Sequence, residues 1–194
     1  MAIGFSNGAM MVEVLACHKP TVFRAVASVS GIVELRPGND AGLEACGRAI
    51  LVNNTEGLRT SVLMVHGNHD MLVPVGGNSF LGFPPLQDNV AGWANFNGCN
   101  EATDVTINAS RYRNLIYSDC DSGADVWETR VRRYVRRIKD VVVGHLTGRH
   151  AADLRHSVVE IVHALQGGHE WPEDDEFSTT DYVHAFGARV FSGY

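Results

Sequence analysis

The sequence predicts an α/β domain built on a parallel sheet. Short apolar runs of strand length stand at 25–29, 61–65 and 158–162. Between them lie segments whose apolar residues recur at helical spacing, and stretches rich in Gly, Pro and Asn separate the two kinds of pattern. Strands alternating with helices call for parallel pairing, because each crossover lays a helix over the sheet. The chain has 194 residues, 45% of them hydrophobic and 20% charged, enough for one domain with a sizeable core.

In chain order, Met10, Met11, Val14 and Leu15 recur at helical spacing after Gly8, and Pro20 stops the pattern. Ala25-Val26-Ala27-Ser28-Val29 is a buried strand closed by Gly31. Residues 34–60 carry glycines, asparagines and Pro37 and read as loop, with a short helical piece around 43–51. Ser61-Val62-Leu63-Met64-Val65 is the second strand, closed by His66-Gly67, and 68–86 is a Gly- and Pro-rich loop. A helix over 87–97 carries Val90, Trp93 and Phe96 and ends at Gly98, and 110–118 reads as an exposed strand. A basic helix over 130–143 follows, with Val131, Tyr134, Val135, Ile138 and Val142 on one side. Val158–Val162 is the third strand, 167–181 an acidic loop, and 181–191 a closing helix with Val183, Phe186 and Val190.

Composition excludes several classes. No apolar run approaches the roughly 18 residues of a membrane span, and no leader peptide is expected at Met1-Ala2-Ile3-Gly4. The net charge of −6 argues against a general nucleic-acid binder. Charge is uneven, however. Residues 128–156 hold eight basic side chains against Glu128, Asp140 and Asp153, a local excess of +5 that leaves −11 for the rest. The four cysteines, Cys17, Cys46, Cys99 and Cys120, form no CxxC pair, so a zinc ribbon or thioredoxin-type motif is not expected. Sequons at Asn53-Asn54-Thr55 and Asn108-Ala109-Ser110, with an even cysteine count, lean towards a secreted protein. Four free cytosolic thiols are the alternative.

Three motifs carry chemistry. Gly4-Phe5-Ser6-Asn7-Gly8 matches G-x-S-x-G, a sharp strand-to-helix turn that presents a nucleophile. Its flanking glycines relieve crowding, and the backbone N–H of Asn7 points at the developing oxyanion. The plainer reading is a Gly-Ser turn at a helix N-terminus. His66-Gly67-Asn68-His69-Asp70 ends the second strand, where an acid is placed to orient a histidine. A metal site from His66, His69 and Asp70 is the rival, lacking a clear fourth ligand; His66 reads better as a packed strand-end residue. Gly167-Gly168-His169-Glu170-Trp171-Pro172 follows the third strand and lets an imidazole reach over the sheet edge. Serine, acid, then histidine, each after a strand, is the chain order of the α/β-hydrolases. Trp171 and Glu173–Glu176 read as a capped, solvated loop rather than as a cleft border.

GFSNGAMM, VLMVHGNHDMLVPVGG and GGHEWP together resemble the secreted esterase family of polyhydroxybutyrate depolymerases, feruloyl esterases and acetyl xylan esterases (carbohydrate esterase family 1-like). The resemblance extends to Trp93 with Asn97-Gly98-Cys99 and covers residues 1–126 and 157–194. It implies an α/β-hydrolase fold and a serine carboxylic-ester hydrolase. Ser6 would be the nucleophile, His169 the general base and acid, Asp70 the orienting carboxylate and the Asn7 N–H an oxyanion donor. It implies no cofactor and no metal, and extracellular action on acyl or aryl esters of polysaccharides or polyesters. No nucleic acid or membrane would be a partner. It further suggests the disulfides Cys99–Cys120 and Cys17–Cys46. Against the family, only Met1-Ala2-Ile3 stands before the motif where a whole half-sheet is usual. The expectation is therefore the C-terminal part of the fold: one partial domain, 1–194, with a basic insertion at about 127–156. A catalytically inactive remnant that binds a partner through that insertion is the alternative.

Overall fold

The computed structural model describes residues 1–33, 59–105, 110–118, 120 and 157–192. Its strands are β1 (Ala2–Phe5), β2 (Ala25–Val29), β3 (Ser61–Gly67), β4 (Glu101–Val105), β5 (Tyr112–Ser118) and β6 (Val159–Ala164). Its helices are α1 (Asn7–His18), α2 (Leu86–Phe96) and α3 (Thr179–Ser192). The strands form one sheet in the order β1-β2-β3-β6-β5-β4. β1, β2, β3 and β6 run parallel, whereas β5 and β4 are added antiparallel beyond β6.

The α/β class is present, but the sheet is mixed rather than parallel. The polar segment Glu101-Ala102-Thr103-Asp104-Val105 carries little strand pattern, and pairing with β5 makes it a strand. β5 itself is not an exposed strand: it is hydrogen-bonded on both sides, and Tyr112 and Asn114 are buried. The helical piece at 43–51, the basic helix at 130–143, the sequon at 53–55, Asn108 and Ala109 of the second sequon, and Cys46 lie outside the described residues.

Two cores sandwich the sheet. On one face α1 and α2 cover Val26, Val62, Met64, Val159 and Ile161. On the other α3 lays Val183, Phe186 and Val190 on Ala27, Leu63, Val65 and Val162. The side of α1 that is buried differs from the one the apolar spacing suggests. Ala9, Val12, Glu13, Ala16 and Cys17 face the sheet, while Met11 is exposed. At its first turn the approach is close: a Cβ on Gly31 would lie 2.4 Å from Ala9 Cβ, so a small residue fits there, while Glu13 reaches Ser28 of β2. The set at i, i+3, i+4, i+7 and i+8 still forms one stripe, with a carboxylate inside it. α2 and α3 bury the predicted Val90, Trp93, Val183, Phe186 and Val190.

All four parallel strands end at the same edge of the sheet. In open α/β sheets that edge collects the functional loops, and here it carries Ser6, Ser30, Asp70 and His169.

Candidate active site

Ser6 stands between β1 and α1 with φ 56° and ψ −122°, a strained conformation for a residue with a side chain. Neighbouring backbone over-determines it. The Ser6 N–H donates to the Val29 carbonyl (2.8 Å), and the Ser6 carbonyl accepts from the N–H groups of Ala9 and Met10 (2.9 and 3.2 Å). A Cβ on Gly4 would lie 2.1 Å from the Gly8 carbonyl oxygen, so that position excludes any side chain. Nothing lies within 4 Å of a Cβ placed on Gly8, so of the two flanking glycines only Gly4 relieves a clash. Asn7 is the first helical residue, and its N–H has no intrahelical acceptor. The positive end of α1 thus adjoins the Ser6 hydroxyl.

Asp70 follows β3 and is buried. Its Oδ1 accepts from the N–H groups of Leu72 (2.9 Å) and Val73 (2.7 Å). Its Oδ2 faces His169 Nδ1 at 2.8 Å. His169 Nε2 lies 2.9 Å from Ser6 Oγ. The structure therefore joins Ser6, His169 and Asp70 in one hydrogen-bonded chain. With Nδ1–H donating to the carboxylate, Nε2 carries the lone pair that accepts the serine proton. The Phe5 ring packs on the imidazole at 5.1 Å between centroids.

The loops bearing Asp70 and His169 nest backbone against backbone. A Cβ on Gly67 would meet the carbonyl oxygens of Gly168 and Gly167 at 2.2 and 2.5 Å. The His69 N–H donates to the Gly167 carbonyl at 2.8 Å. The glycines of both motifs therefore set the distance between acid and base.

His66 is buried at the strand end, its Nε2–H donating to the Val73 carbonyl at 2.8 Å and lying 3.5 Å from Asp70 Oδ2. Burial pushes its pKa below the usual histidine value, against the pull of Asp70. A neutral His66 thus pins the loop that carries Asp70. His69 is exposed, and the trio His66, His69 and Asp70 does not converge. Among the described residues no group of three or more His, Cys, Asp or Glu could hold a metal ion.

Trp171 Nε1–H donates to Glu173 Oε1 (3.0 Å) and Thr180 Oγ1 (3.2 Å). Glu173 accepts from the Thr180 hydroxyl (2.6 Å) and the Thr180 N–H (2.8 Å), which together hold its pKa down to about 2. Asp174, Asp175 and Glu176 gather around Arg111. The acidic run is a helix cap and an ion-pair cluster. Cys99 and Cys120 are joined as a disulfide.

Three polar residues of this framework escaped the sequence reading: Ser30, at φ 52° beside the histidine loop, and the buried carboxylates Glu13 and Glu160. Glu13 sits in phase with Ala9 and Cys17, a pattern visible in the sequence. Ser30 left no signal beyond a serine before a glycine.

No family model matches the chain, and no curated protein is significantly similar to it.

Proposed function

We propose that this chain is a serine carboxylic-ester hydrolase of the α/β-hydrolase fold, a member of the secreted esterase family whose motifs it resembles. The observation that carries this reading is the chain Asp70 Oδ2–His169 Nδ1 (2.8 Å) and His169 Nε2–Ser6 Oγ (2.9 Å), set on a strained strand-to-helix turn.

In this reading Ser6 Oγ attacks the ester carbonyl carbon while His169 Nε2 takes the hydroxyl proton. Asp70 stabilises the imidazolium without being protonated. The tetrahedral oxyanion is met by the Asn7 N–H at the start of α1. Collapse breaks the bond to the alcohol oxygen, which leaves with the proton from Nε2. A water, deprotonated by the same nitrogen, then attacks the acyl-Ser6 ester, and release of the acid restores the serine hydroxyl. The substrates are acyl or aryl esters, polymeric ones included. The Cys99–Cys120 disulfide favours an oxidising, extracellular setting.

The test is covalent labelling with a fluorophosphonate, beside hydrolysis of short acyl esters. Labelling and hydrolysis should both vanish in Ser6→Ala. Labelling that survives the substitution, or none in the folded wild type, removes the reading.

A further inference from the structure

We propose that Ser30 is a positioning residue for His169, the C-terminal end of β2 acting as a jig that sets the serine-to-imidazole distance. The proposal rests on the ester-hydrolase reading for its kinetic consequences, and on geometry for the rest.

Two adjacent residues hold the two reacting partners. The Val29 carbonyl accepts the Ser6 N–H at 2.8 Å. The Ser30 hydroxyl donates to the carbonyl of Glu170, the residue after His169, at 3.0 Å. The histidine loop is tied to the Asp70 side by His69 N–H to Gly167 O (2.8 Å) and Asn68 N–H to Ala164 O (2.9 Å). Among the described residues, Ser30 supplies its hydrogen bond to the β2 side. Without that bond the backbone of the loop is held on the Asp70 side, and the described contacts left towards Ser6 run through the imidazole itself, to Ser6 Oγ and the Phe5 ring.

The backbone of Ser30 shows what this arrangement costs. Its φ of 52° lies in the left-handed region, where a side chain is disfavoured. Fully buried, it has its N–H committed to the Val65 carbonyl at 2.9 Å. The next residue is wedged into the serine turn: a Cβ on Gly31 would stand 3.0 Å from Ser6 O and 3.1 Å from Met10 N. Glycine at 30 would satisfy the backbone with less strain, yet a hydroxyl stands there. Strain kept beside a candidate site, with a side-chain contact to show for it, points to function.

Ser30→Gly and Ser30→Ala test this together. Both delete the hydroxyl; glycine also relieves the φ strain. A displacement of about 1 Å at the reacting atoms costs on the order of 100-fold in rate. Both variants should therefore lose roughly 10–100-fold in kcat and in fluorophosphonate labelling rate, with KM nearly unchanged. Ser30→Gly should melt no lower than Ser30→Ala, so an equal rate loss in the two would not track their stabilities. Backbone hydrogen exchange over 165–171 should accelerate in both. Wild-type labelling rates in either variant overturn the proposal. If the wild type itself does not label, the hydrolase reading fails by itself, and exchange decides: unchanged protection of 165–171 in both variants overturns the positioning role.

Discussion

Asp70 and Glu13 are both buried carboxylates with three described hydrogen-bond partners, and they do opposite things. Asp70 accepts two N–H groups of its own loop and turns its remaining oxygen to an imidazole. Glu13 accepts from Ser28 Oγ (2.6 Å), Asn89 Nδ2 (3.0 Å) and Trp93 Nε1 (2.9 Å), neutral side chains of β2 and α2. Backbone donors fix Asp70 where a titratable partner needs it. Neutral donors gather around Glu13 to tie three elements together. Burial outweighs those donors and raises the Glu13 pKa to about 7. Glu160, on the opposite face, meets Tyr182, Asn114 Nδ2 (2.6 Å) and the Arg189 guanidinium (2.9 Å), a third solution that brings in a cation. The donors, more than the burial, decide whether a buried acid turns an oxygen to an imidazole or ties elements of the fold together.

Asp70→Asn should break the comparison most visibly. Asparagine Oδ1 still accepts the two loop N–H groups, so the fold survives. The imidazole loses the acceptor that fixes its tautomer, and kcat on an acyl ester should fall by about 10⁴-fold. Glu13→Gln should change the same rate by no more than a few-fold. Equal losses in the two variants would abolish the distinction.

Glu13→Ala reads the other side. It strands three buried donors, each costing about 1–3 kcal/mol when unpaired, so urea unfolding should show a loss of several kcal/mol. A loss under about 1 kcal/mol would mean that the ties are weak or replaced by water.

The pH dependence sharpens the contrast. Glu13 titrates near 7 in the folded chain and near 4.5 when exposed, so the folded state binds the extra proton between those values. Its contribution is fully present below about pH 4.5 and falls away as pH rises through 7, by on the order of 3 kcal/mol at 1.36 kcal/mol per unit. His66 and His163, both lowered by burial, act in the opposite direction, costing stability as pH falls below 6.5. The measurement is therefore the difference between wild type and Glu13→Gln in urea midpoint at pH 5 and pH 8. The gap should move in favour of the glutamine variant at the higher pH; a gap independent of pH would remove Glu13 as the titrating group.

The three site residues were legible because each follows a strand and stands near a glycine where the backbone packs too closely for a side chain: Gly4, Gly67 and Gly167. Ser6, Asp70 and His169 could be assigned before any distance was known, and the distances then bring them together. The ties escaped because they span the chain: Ser28 is 15 residues from Glu13, Trp93 is 80 from Glu13, and Ser30 is 140 from Glu170. No local pattern encodes such pairs. β4 escaped for a related reason, since its strand character comes from its partner. The parallel sheet was over-read because nothing in the residues of β5 marks its direction, which its antiparallel pairing with β6 sets.

The position of β6 has a consequence for synthesis. This strand lies between β3 and β5, although both precede it in the chain. Until residues 159–164 leave the ribosome, β3 and β5 have no strand to join them. Ser6 meets its imidazole across 163 residues, so the nascent chain carries no assembled triad until the histidine loop emerges. A product cut short before that loop would carry the serine turn without the imidazole that faces it.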